Sequence, residues 1–82
     1  MKYAEAEVIL KGQGWQVWKH IDEDSYVDGL EVQVSPILLS ETADKIRGLL
    51  PASDFKISEV RSQKYVLIKK IYDKSTVAQE ED

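Results

Sequence analysis

The chain has no cysteine, and in 82 residues that absence constrains the possible folds more than any other feature. A domain this short is near the lower limit at which one hydrophobic core supports itself, and smaller chains usually lean on disulfides or metals. Here burial alone must hold the core. Thiolate nucleophiles, cysteine-ligated zinc and iron–sulfur clusters are removed by the same absence. Hydrophobic residues at 43% and charged residues at 32% are a globular balance. They predict one domain over residues 1–73 followed by a loose acidic tail over 74–82.

A single histidine, His20, is too few for a transition-metal site, which normally takes several imidazole or thiolate ligands. No metal or cofactor is expected. The chain contains no asparagine and therefore no N-glycosylation acceptor, and Met1 to Leu10 lack the basic start and apolar stretch of a secretory signal. A reducing, cytoplasmic setting is the expectation. The longest uninterrupted apolar run, Tyr65-Val66-Leu67-Ile68, is far short of the roughly 20 residues a membrane helix needs. No membrane partner is expected.

Hydropathy patterning gives the elements. Ala4, Ala6, Val8 and Leu10 alternate with Glu5, Glu7 and Lys11, broken only by Ile9, and this period of two favours a first strand. The competing reading is a short helix ending at Gly12, because Ala and Glu are good helix formers and glycine commonly follows a helix. Under the strand reading, Lys11-Gly12-Gln13-Gly14 is a tight reversal into a second strand, Trp15 to Ile21. Asp22 to Gly29 reads as an acidic connection. Leu30 to Ser35 is the cleanest alternating strand, with Leu30, Val32 and Val34 facing the core. Ser40 fits a helix N-cap, with Leu39, Ala43, Ile46 and Leu50 on one stripe and Pro51 ending the helix. Two more strands, Phe55 to Val60 and Lys64 to Tyr72, are joined by Arg61-Ser62-Gln63. The expected fold is a small α+β domain of order β-β-β-α-β-β, or α-β-β-α-β-β if the first segment is helical. The second order carries a twofold α-β-β echo without residue identity to support it.

One helix covers one face of a sheet, so the other face should be polar at alternate positions. Several strands break that rule. Trp15 and Val17 fall on one side of their strand and Trp18 on the other, Ile9 is off-face, and Val66, Leu67 and Ile68 place apolar groups on both sides. Either a bulge, a register shift or the alternative N-terminal helix places these residues in an ordinary core, or a second macromolecule covers them, most simply another copy in a homodimer.

The net charge of −4 hides an uneven distribution. Lys56, Arg61, Lys64, Lys69, Lys70 and Lys74 face only Glu59 and Asp73 within residues 56–74, leaving the excess acid elsewhere. Lys56, Arg61, Lys64, Lys69 and Lys70, beside Tyr65 and Tyr72, form a candidate track for RNA or single-stranded DNA. The plainer reading is a solvated edge whose lysines discourage aggregation. Asp22, Glu23, Asp24 and Asp28, with Glu80, Glu81 and Asp82, form an acidic pole suited to a basic partner. A solvated loop and tail would look the same.

Enzyme signatures are weak. Asp22, Asp24 and Asp28 resemble the start of a calcium loop, but Val27 replaces the required glycine and no glutamate closes the loop. His20, Asp22 and Ser25 supply the residue types of a hydrolytic triad without its nucleophile-elbow spacing. Gly12-Gln13-Gly14 lacks the third glycine of a dinucleotide fingerprint. No catalytic residue is expected.

The sequence therefore points to a non-enzymatic, regulatory or inhibitory binding protein, homodimeric, with Trp18 and His20 as outer-face contacts and the acidic residues Asp22, Glu23, Asp24 and Asp28 meeting a basic protein partner. In general style it resembles the small accessory proteins of phages and mobile elements that block host or defence factors. That likeness rests on size, acidity and the lack of cysteine, and on no motif. RNA or single-stranded DNA binding through the basic segment is the alternative.

Overall fold

The computed structural model describes residues 1–21 and 23–71; the expected tail, Tyr72 and Asp22 lie outside the described residues. The element order is α-β-β-α-β-β, so the first segment is a helix and not the first strand of the favoured reading. Helix α1 spans Tyr3–Gly12. Period-two alternation misled because it left out Tyr3. Tyr3, Ala6 and Leu10 are the buried stripe at helical spacing, while Val8 is 71% exposed. Local interactions support the helix. The Glu5 carboxylate accepts a 2.8 Å hydrogen bond from the Lys2 backbone N–H, and Glu7 pairs with Lys11 four residues on at 2.9 Å. Both arrangements favour a helix over an extended chain.

The expected hairpin at residues 11–14 is instead the end of α1. Gln13 caps the helix, and Gly14, at φ +92°, turns the chain into β1, a backbone conformation glycine adopts without steric cost. Strand β1 covers Gln16–Ile21 and β2 covers Val27–Gln33. The acidic connection is therefore shorter than expected, with Asp28 and Gly29 inside the strand. A 3-10 turn at Pro36–Leu38 runs straight into α2, Leu39–Leu49. Ser40 is thus inside the first turn and not the N-cap. Leu39, Ala43, Ile46 and Leu50 are all buried, as the stripe requires. Leu50 is extended at φ −114°, ψ 146°, the conformation a following proline imposes. Strands β3, Phe55–Val60, and β4, Tyr65–Lys70, complete the sheet.

All neighbours in the sheet, ordered β1-β2-β4-β3, are antiparallel. Helix α1 packs over β1 and β2, and α2 over β3 and β4. The two α-β-β units are therefore related by a pseudo-twofold axis through the sheet between β2 and β4. Both helices share one core with Val17, Leu30, Val32, Phe55, Val66 and Ile68, so both lie on the same face. Two helices, not one, cover it. They also absorb part of the apparent apolar surplus, since Ile9 and Trp15 pack against this core.

Tyr3 ties the units together. Its hydroxyl accepts a 2.7 Å hydrogen bond from the Lys70 backbone N–H, and its ring lies 5.9 Å from that of Phe55. The N-terminal amine reaches Asp54 Oδ2 at 2.7 Å.

Candidate functional site

Among the described residues no element covers the sheet face opposite the helices, and the strand registers fix what stands on this open face. Gln16, Gln33, Tyr65 and Val60 form one row across the four strands; Trp18, Glu31, Leu67 and Ser58 form the next. The third row begins with His20 opposite Gly29 and ends with Lys69 opposite Lys56. Trp18 is 54% exposed, and Tyr65, Leu67 and Val60 are half-buried. Leaving a tryptophan face in water forgoes burial free energy of about 25 cal/mol per Å².

A β-bulge shapes the end of this face. The register steps from His20↔Gly29 to Ile21↔Val27, which leaves Asp28 as the extra residue on β2. The bulge turns its carboxylate toward the imidazole, with His20 Nδ1 at 2.6 Å from Asp28 Oδ1. At that distance the ring N–H donates to the carboxylate, a charge-assisted geometry that fixes the ring. Glu31 Oε2 lies 3.8 Å from Nε2 on the other side. Gly29 makes room for this arrangement. A Cβ there would meet the Ile68 carbonyl oxygen and Leu67 Cδ1 at 3.3 Å and the His20 Cβ at 3.4 Å.

The expected contacts Trp18 and His20 thus stand together on the open face, with Asp28 bonded to His20. Glu23 and Asp24 are exposed in the β1–β2 turn at the same end. His20 is paired with Asp28, a residue the triad pattern left out. Glu31 and Ser58 also belong to the face and were not singled out from sequence, and Leu67, noted there as part of a two-sided apolar run, joins them; the period-two pattern assigns all three to it.

The basic residues are dispersed. Lys56 and Lys69 are direct cross-strand neighbours on the open face. Lys70 points to the helix side, its Nζ 5.8 Å from the centre of the Tyr3 ring. Arg61 is tied to Glu59 at 2.7 Å, and Lys64 closes the β3–β4 turn at φ 65°. They do not form one continuous track.

Among the described residues no group of three or more His, Cys, Asp or Glu is arranged to hold a metal ion, and no helix is long and apolar enough to cross a membrane. Comparison with protein-family models, with curated proteins and with solved structures returns no match.

Proposed function

We infer that the chain is a non-enzymatic, regulatory or inhibitory binding protein whose docking surface is the open face of the sheet, with the acidic β1–β2 turn meeting basic groups at one end. The observation that carries this reading is Trp18, 54% exposed in the middle row of the uncovered face, beside an imidazole held by Asp28. Large aromatic anchors flanked by fixed polar groups are the usual centres of protein–protein contacts. Charge at the rim steers the approach.

The test uses the full chain, cross-linked in its native host. Trp18→Ala should lose the recovered partner, whereas Val8→Ala, on the exposed side of α1, should retain it. Retention of the partner by folded Trp18→Ala removes the open face as the docking surface.

A second reading has one observation in its favour. Lys56 and Lys69 stand on the same face as Tyr65, the combination of cation and stacking ring that single-stranded nucleic acid uses. Glu31 in the central row works against it. Salt-sensitive anisotropy changes with single-stranded RNA, lost in Lys56→Ala/Lys69→Ala, would favour this reading over protein docking.

A further inference from the structure

We propose that the macromolecule docked on the open face is a second copy of this chain, packed face to face about a twofold axis that runs parallel to the strands between β2 and β4. This rests on the reading of that face as a docking surface and names its occupant.

Charge carries the proposal. On one half of the face Asp28 and Glu31 flank His20, two carboxylates for one imidazole. On the other half Lys56 and Lys69 stand directly opposite each other, and no carboxylate among the described residues pairs with either. Like charges directly opposite on a sheet are destabilising, so this lysine pair calls for acid that no described residue of its own copy supplies. The acidic half of the same face, on a second copy, provides it. A twofold axis parallel to the strands lays β2 of one copy over β4 of the other and β1 over β3. His20 and Asp28 of each copy then lie over the Lys56–Lys69 row of its partner, with Glu31 over Leu67 one row away, twice over.

Shape agrees with charge. The same rotation sets Trp18, the largest side chain of the middle row, over Ser58, its smallest. The alternative axis, perpendicular to the strands, stacks Glu31 on Glu31 and Trp18 on Trp18, which charge repulsion disfavours. Edge-to-edge pairing is discouraged on both sides. Lys19 points to the helix face of edge strand β1 and stays exposed there, a known guard against strand addition. On β3 the Arg47 guanidinium already donates to the Ile57 carbonyl at 3.2 Å.

The area is small. Strands about 4.8 Å apart with a rise of about 3.3 Å per residue make a face about 19 Å by 20 Å, a footprint of roughly 760 Å² over the two copies, below the roughly 1,000 Å² that stable interfaces clear, so the association is a weak one that charge complementarity must carry. Sheets packed this way keep their strands within about 30° of each other. Because the axis runs along the strands, both β1–β2 turns lie at one end of the dimer and both β3–β4 turns at the other. Glu23 and Asp24 are thereby doubled into one acidic end.

The test is charge reversal with rescue, read as solution mass by sedimentation or light scattering up to about 0.5 mM, a concentration that reaches weak association. The wild-type chain should approach twice its 9.4 kDa mass. Asp28→Lys/Glu31→Lys and Lys56→Glu/Lys69→Glu should each dimerise at least tenfold more weakly. An equimolar mixture of the two should recover the dimer, because every contact across the axis again joins acid to base. Far-UV circular dichroism confirms that each variant is folded. A wild-type chain that stays monomeric at the highest concentration overturns the proposal, as does a mixture of folded variants that stays monomeric. A monomeric chain whose partner capture still depends on Trp18 overturns the second copy alone; a monomeric chain indifferent to Trp18→Ala overturns the docking face with it.

Discussion

Tyr3 and Gly29 show how much of this small fold depends on single positions. Tyr3 is 2% exposed and is the point where α1 grips the far strands, through its hydroxyl on the Lys70 N–H. Tyr3→Phe keeps the ring and removes the acceptor. It should lower unfolding free energy by about 1–2 kcal/mol, the usual cost of leaving a partly buried donor unpaired, measured by urea denaturation. Gly29 matters for the opposite reason, because it must stay small. The backbone oxygen of Ile68 cannot yield to a Cβ as a flexible side chain would, so Gly29→Ala should cost about 1–2 kcal/mol. It should also move the His20 ring resonances, since His20 is one of the three contacts. An unchanged denaturation midpoint would mean that β2 and β4 are not as close as the register places them.

At the scale of elements, the β3–β4 hairpin stores strain in its turn. Lys64 has φ 65°, a left-handed conformation that costs a side-chain-bearing residue about 1 kcal/mol or more. Lys64→Gly should therefore be neutral or stabilising by a few tenths of a kcal/mol, whereas Lys64→Val should destabilise; thermal melts separate the two. The hairpin itself was legible in the sequence, from β-preferring residues either side of a short polar turn. So were α2, from its Leu39–Ala43–Ile46–Leu50 stripe, and the core positions Leu30 and Val32. Helix α1 was not, because an Ala–Glu alternation satisfies both periods and the deciding residue, Tyr3, is explained only by Lys70 across the molecule. The bulge at Asp28 was equally hidden. Nothing local marks it, since it exists to reconcile β1 with β2. Of the candidate site, the outer-face positions of Trp18 and His20 were legible, while the partners of His20 depend on cross-strand register.

For the whole molecule, the pseudo-twofold relation between the α-β-β units makes their differences informative. The axis relates Trp18 to Ser58 and Glu31 to Leu67 on the open face, and the two halves carry opposite charge. Architecture is shared while the outer surface is not. The covered face needs no partner, because two helices close it.

The most direct measurement is quenching of Trp18 fluorescence by acrylamide in a Trp15→Phe background, followed as protein concentration rises from about 1 µM to about 0.5 mM, a span that reaches weak association. Efficient quenching in the dilute chain that falls severalfold on concentration is the expected result: an exposed ring that becomes covered. A ring already shielded at 1 µM, or one equally quenched across the whole range, would contradict it.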